Sequence, residues 1–431
     1  MTLNNSSFQD WGGRPLRVAA SSNPSVEGKS KRLRLFASPH LKRYASWRSP
    51  FTPSELINQM RSLRLIAALT LIVIATIGLA ASSPEQSPPS LDSNNAVVIP
   101  PYAPRFGRSR PIVAVVGENT FTELTDYVVP YGVLHESGVA DVVALATKAG
   151  PIQMFPALKI RPQSTVAEFD SRFPEGADYV IVPAVHRTGD AALLSWVTSQ
   201  AAKGASIVGV CDGVWVVANA GLLKGHKAVG HWYSFDDLEK KFPETAWVRN
   251  RRYLADGKIV TTTGVTASIP VSLALVEAIG GHERAVSVAR AVGVTDWSAT
   301  HRSADFKLRT PHMYAAATNW VSFWSHEEIG VPISNGMNEV ALALAADAYS
   351  RTYRSSAVSI SSSAKDVRTR GGLLIVPDRL AGDSKTTDRT LKLLDDTKPV
   401  AALDAALRDI ADTYGRSTSA FVALQMEYPQ P

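Results

Sequence analysis

The sequence predicts an α/β protein organised as a doubly wound parallel sheet. Three observations carry that expectation. Short apolar runs recur along the chain: IVAVVG (112–117), ADVVALA (140–146), DYVIVPA (178–184), ASIVGVC (205–211) and KIVTTTG (258–264). They are continuous in Val, Ile and Ala rather than alternating, as strands covered on both faces are. Helical stretches separate them, so strand and helix alternate.

The elements follow in chain order. Residues 1–62 hold ten Lys or Arg against three acids and are rich in Ser and Pro, with no lasting apolar period. A disordered basic leader is expected there, or an over-extended gene start. Residues 65–81, LIAALTLIVIATIGLAA, contain no charge. Read from Met60, segment 63–82 has the form of a secretory signal peptide. Read from Met1, it is a signal anchor with a basic cytoplasmic tail. Either reading exports everything after residue 83 to the periplasm or the exterior. Residues 83–110 are a Pro/Ser linker. From residue 83 onward 34 basic side chains face 36 acidic ones, so the leader alone makes the chain basic. The folded part therefore lacks the charge of a nucleic-acid-binding surface.

The domain at 111–300 carries the strands above. Its helix candidates are 191–202, with Leu193, Leu194 and Val197 on one face, and 213–221, ending at a C′ glycine. A third, 269–280, has Pro270 in its first turn and Gly280-Gly281 at its end. In such sheets the ligand site lies at the carboxyl ends of the strands.

Cys211 is the only cysteine in the chain, which excludes a disulfide framework and any Cys-based metal cluster within one chain. It ends a strand, and Asp212-Gly213 follow before a helix begins. A residue on such a turn is held above the sheet, with backbone N–H groups behind it. That field would favour a thiolate and could hold an oxyanion. The alternative is a lone cysteine acting as a small buried hydrophobe.

The segment GASIVGVCDGVWVVANAGLLKGHKAVGHW (204–232) resembles the elbow region of the ThiJ/PfpI superfamily, of the flavodoxin-like, class I glutamine amidotransferase-like fold. The nearest subgroup is that of isocyanide hydratases and the amidase-like domains of AraC-type regulators. The resemblance covers about 111–300, including His231-Trp232 and a later TTGVTA stretch. It implies a carboxylate from the first helix against the cysteine, supplied here by GENTFTELTDYVV: Asp126 is the proton shuttle or thiol partner, with Glu123 beside it. His231, twenty residues after Cys211, would assist as base or orienter, or is a structural histidine. His186 would serve as donor or general acid, or is a surface loop histidine. The backbone N–H groups of Asp212 and Val185 would hold an oxyanion. Two departures stand out. Asp212 occupies the position where peptidase relatives carry His, which argues against peptidase activity. Ala184-Val185 replace a Gly-Gly loop. No metal or other cofactor is expected.

Residues 301–431 contain no second cysteine. Segment 338–349 reads as a helix, 371–377 as a strand, 400–414 as a helix, and FVALQMEY (421–428) as a strand. The order echoes the start of the first domain, so this third is read as a degenerate partial second α/β copy, supplying a dimer-like interface or a lid. No basic recognition helix is found in it. The function expected is an exported cysteine-dependent hydrolase or hydratase/lyase acting on a small carbon–nitrogen or carbonyl substrate. The alternative is a non-catalytic thiol-based redox or small-ligand sensor, and a third reading is an interaction scaffold. The partners expected are a small-molecule ligand, the membrane through 65–81 if that segment is uncleaved, and a second copy of the chain; nucleic acid is not expected.

Overall fold

The first strand in the chain forms the middle of the main sheet. In the computed structural model, which describes residues 98–383, 386–392 and 397–429, β1 (Ile112–Gly117) is buried throughout. It is followed by β2 (Thr120–Glu123), α1 (Leu124–Ser137), β3 (Asp141–Ala146), β4 (Ile152–Phe155), β5 (Lys159–Arg161), β6 (Ser164–Thr165), α2 (Val166–Arg172), β7 (Tyr179–Val182), α3 (Ala191–Ala202), β8 (Ser206–Gly209) and α4 (Gly213–Asn219). An excursion of β9 (Lys227–Ala228), α5 (Phe235–Lys241) and β10 (Ala246–Trp247) precedes β11 (Tyr253–Asp256), β12 (Ile259–Thr262), α6 (Ser268–Gly280) and α7 (His282–Val292).

The main sheet runs β11-β12-β8-β7-β1-β3-β6. All neighbours pair in parallel except β11 and β12. That hairpin turns at Gly257, whose φ of +62° suits glycine. Successive residues of β1 face opposite cores. Val113 and Val115 pack with α1, α6 and α7. Ile112, Ala114 and Val116 pack with α3 and α4. This two-sided burial is why the strands read as continuous apolar runs. The fold is the doubly wound α/β arrangement expected. The chain leaves β1 toward β3 on one side and returns to β7 on the other, which puts the topological switch beside β1.

The last third contributes α8 (Thr310–Val321), β13 (Glu327–Pro332), α9 (Glu339–Ser350), β14 (Ser355–Ser361), β15 (Val367–Arg368), β16 (Leu374–Ile375), β17 (Arg379–Leu380), β18 (Arg389–Thr390), α10 (Pro399–Tyr414) and α11 (Arg416–Met426). Its sheet, β17-β14-β13-β18, is parallel throughout. The order strand–helix–strand–short strands in β13 to β16 repeats that of β1, α1, β3, β4 and β5. The two versions also meet. β16 pairs antiparallel with β5, Leu374 opposite Arg161, and α9 lies on α1. Gly132 permits that approach, because a Cβ there would stand 2.5 Å from Val340 Cγ2. Tyr131 Oη donates to the Gly371 carbonyl at 2.7 Å. α1 and β5 of the first part thus meet α9 and β16 of the last third within one chain.

Two expectations for this third need correction. FVALQMEY is not a strand: residues 416–426 are the helix α11. Val422 is the only β-branched residue of that run, and after Gly415 the buried Ser419, Val422, Ala423 and Met426 recur at helical spacing. The strand expected at 371–377 contracts to Leu374–Ile375, held between β5 and β15. The leader, the apolar segment 65–81 and most of the linker lie outside the described residues. Among the described residues no helix is long and apolar enough to cross a membrane.

Candidate functional site

The site begins with a backbone constraint at the end of β8. Gly213, the first residue of α4, packs against the carboxyl end of β7, where a Cβ would stand 2.0 Å from the Val182 carbonyl oxygen. Only glycine fits. The turn that brings α4 this close puts Cys211 at φ +54°, the left-handed region that non-glycine residues avoid at a cost of about 1–3 kcal/mol. The Cys211 N–H donates to Thr262 Oγ1 at 2.9 Å on the neighbouring β12. Val210 N–H donates to the Val182 carbonyl at 2.9 Å. Cys211 therefore occupies a left-handed turn between β8 and α4.

The surroundings of the thiol differ from the expectation. Cys211 is 4% exposed. Its pKa is pushed well above the usual thiol value, by burial first and then by the charges of Asp126, Asp212 and Glu123. The backbone N–H of Asp212 bonds to Cys211 and favours the thiolate, but it is outweighed. The lowering of the Cys211 pKa expected from the helix N-terminus is not found: burial first, and then the neighbouring carboxyls, push it up.

Those carboxyls come from the start of α1. Glu123 caps the helix, its Oε2 accepting from the Asp126 N–H at 2.5 Å. Asp126 is fully buried. Its Oδ2 accepts from the Ala184 N–H at 3.1 Å, while its Oδ1 is buried without a hydrogen-bond partner. Burial raises the Asp126 pKa well above the carboxylate range, against the lowering effects of the Ala184 N–H and of Arg351. Glu123 is raised for the same first reason, reinforced by Asp126 and Asp347.

The cation in the cluster comes from the C-terminal third. Arg351, just past α9, donates from Nε to Asp347 Oδ1 at 2.5 Å and from Nη2 to Glu123 Oε1 at 2.6 Å. Thr125 Oγ1 donates to Asp347 Oδ2 at 2.6 Å. Burial disfavours the guanidinium charge, but Asp347 and Glu123 more than restore it. One guanidinium faces three buried carboxyls. Glu123 and Asp347 touch the cation and Asp126 does not, which makes Asp126 the natural holder of a proton.

The remaining predicted residues separate into two places. Val185 is buried and bridges antiparallel to Thr122. The bridge uses the Ala184 carbonyl and the His186 N–H, so it does not engage the Val185 N–H. The Ala184 N–H is held by Asp126 instead. His186 is exposed, edge-on to Phe121 with ring centroids 6.2 Å apart. His231 is buried, and its Nε2 stands 4.0 Å from Glu427 Oε2. Among the described residues no group of three or more His, Cys, Asp and Glu side chains could hold a metal ion.

The sequence reading missed Arg351, Asp347 and Glu427. The available signal was Asp347, an acid inside NEVALALAADAY, where every residue of α9 up to Tyr349 is buried. A buried acid on a helix without a polar face needs a partner.

Comparison with known proteins places the strands and helices of the main sheet in one family's range. The DJ-1/PfpI family model matches residues 112–278. An isonitrile hydratase from Pseudomonas putida is 29% identical over 161 residues, which is 36% of this chain and 67% of that protein. The HTH-type transcriptional regulator CdhR of Pseudomonas aeruginosa is 34% identical over 97 residues, 22% of this chain and 29% of the regulator. The chain thus matches under a third of that regulator's length. Among solved structures, Drosophila melanogaster DJ-1beta aligns with 43% of this chain and 100% of its own, at 18% identity and a TM-score of 0.39. A ThiJ/PfpI family protein from Pseudomonas syringae aligns with 48% of this chain and 80% of its own, at 22% identity and a TM-score of 0.38.

Proposed function

Residues 112–278 are a DJ-1/PfpI family domain, and from that premise we propose that the protein is a hydratase acting on a small, neutral carbon–nitrogen substrate of the isonitrile type. The observation that carries this reading is the buried carboxyl of Asp126, with Oδ1 unpartnered, beside a buried thiol whose pKa burial pushes up. An isonitrile carbon bears a lone pair and needs a proton as well as a nucleophile. A neutral thiol and a protonated carboxyl supply both without creating a separated charge in a buried site.

The Cys211 sulfur forms a bond to the isonitrile carbon while Asp126 gives that carbon its proton. The thiol proton replenishes Asp126, leaving a thioformimidate on Cys211. Water then adds to the same carbon, the carbon–sulfur bond breaks, and sulfur and nitrogen each take up a proton. The products are an N-substituted formamide and the original thiol. The second reading is a thiol-based redox sensor, in which Cys211 would be oxidised instead of adding to carbon. We also propose that the enzyme works outside the cytoplasm; support for this is confined to the apolar segment 65–81 and its basic flank.

The test is incubation of the full chain with a small aliphatic isonitrile, with formamide followed by proton NMR. Formamide formed by the wild type and lost in Cys211→Ser and Asp126→Asn supports the reading. A wild type that forms none refutes it.

A further inference from the structure

The reaction proposed above consumes one water molecule, and the carboxyls of the Cys211 cluster are already engaged: Glu123 and Asp347 are bonded to Arg351, and Asp126 is assigned to proton donation. A second polar cluster lies beside the loop that follows β12. Glu427, at the C-terminal end of α11, is buried with φ +52°. Its Oε1 lies 2.7 Å from His301 Nε2. Its Oε2 is buried without a hydrogen-bond partner, as are both ring nitrogens of His231 and Nε2 of His301, whose approach to Oε1 is an ion-pair contact without hydrogen-bond geometry. The side chains of Glu427, His301 and His231 are 2%, 7% and 11% exposed.

So many unpaired polar atoms together are rare in a folded protein, where each normally has a protein or water partner. The 4.0 Å between His231 Nε2 and Glu427 Oε2 is too long for a direct hydrogen bond. It suits one water oxygen bonded to both at about 2.8 Å.

The position of Glu427 is fixed from two directions. Its carbonyl accepts from Thr266 Oγ1 at 2.9 Å, and Gly264 lies so close that a Cβ there would stand 2.3 Å from Glu427 Cβ. Gly264 is two residues from Thr262, which accepts the Cys211 N–H. Two residues before Glu427, Gln425 Nε2 donates to the Arg351 carbonyl at 2.9 Å. The end of α11 therefore spans from Arg351, in the thiol cluster, to the loop beyond β12.

We propose that Glu427, supported by His301 and His231, binds the water consumed in the reaction and is the base that activates it. The proposal rests on the hydratase reading. Glu427 Oε2 takes one proton as the water oxygen bonds to the thioformimidate carbon. The proton on Glu427 passes to the nitrogen, the carbon–sulfur bond breaks with sulfur taking the proton of Asp126, and the remaining hydroxyl proton of the added water returns to Asp126, releasing the formamide and restoring the thiol and the acid. His301 orients the carboxylate through Oε1, and His231 holds the water from the opposite side. Both are positioning residues.

The experiment compares wild type, Glu427→Gln, His301→Gln and Cys211→Ser with isopropyl isonitrile, reading formamide by NMR and the intact mass of the protein. Glu427→Gln is expected to lower turnover by about 100-fold or more while accumulating one isonitrile mass on Cys211, because the first step survives and the second does not. His301→Gln should lower turnover less and accumulate the same species. Glu427→Gln turnover within threefold of wild type, or an absence of the mass addition when turnover is lost, overturns the proposal. A wild type that gives neither formamide nor adduct marks failure of the hydratase reading itself. The water site is then decided by the crystal structure of the wild-type chain: a water bonded to both Glu427 Oε2 and His231 Nε2 supports it, and a direct contact between those atoms overturns it.

Discussion

Replacing Arg351 by Met tests the cluster most directly. Arg351 is the cation shared by Glu123 and Asp347, with its side chain 9% exposed against 7% and 0% for theirs. Met preserves much of the aliphatic stem and removes the charge and both ion pairs. Two buried carboxyls then lose their partner. Breaking a buried pair from one side costs about 3–5 kcal/mol, a large part of the 5–15 kcal/mol that holds a typical domain together. Adding Glu123→Gln removes the stranded carboxylate and should restore about 0.5–3 kcal/mol of that loss. The assay is urea unfolding followed by tryptophan fluorescence and circular dichroism, with the slope m checked for constancy. The cluster would be shown not to hold the two parts together if Arg351→Met cost less than about 1 kcal/mol, or if the double variant were less stable than the sum of the two single ones.

Four further outcomes are expected. Gly213→Ala places a methyl group against the Val182 carbonyl, and should destabilise by about 3 kcal/mol or abolish soluble expression, read by yield and melting temperature. Thr262→Val leaves the Cys211 N–H buried without an acceptor, costing about 1–3 kcal/mol in the same urea assay. Stability should fall as pH rises: Glu123 and Asp126 have raised pKa values when folded, so the folded state binds more protons above the ordinary carboxyl range near pH 4. Melting temperatures across pH 5 to 9 check the sign, and a rise would contradict it. A chain ending at residue 300 exposes the face of α1 that α9 covers, and should dimerise or aggregate on size-exclusion chromatography; a stable monomer would count against the described packing.

The sequence disclosed the sheet well, because burial on both faces writes an uninterrupted apolar run. IVAVVG matches β1 residue for residue, and α3 occupies the predicted 191–202. The cysteine elbow was legible for a different reason: Gly213 is required by a backbone contact, and its spacing from Cys211 is visible in the chain. The thiol's electrostatics were not legible, because they depend on carboxyls from α1 and on Arg351, which lies 228 residues from its partner Glu123. Nothing local in the sequence marks such a pairing. The end of α11 was misread because its aromatic and aliphatic residues were taken as a β signal when their spacing is helical.

The pairing of α1 with α9 and of β5 with β16 has a consequence for stoichiometry. A surface that two separate molecules would share is closed by a covalent tether, so its association has no dependence on dilution. The second half of that surface carries no thiol, since Cys211 is the only cysteine. Titration with a thiol reagent should accordingly count one reactive centre for each closed surface, where a symmetric pair would present two.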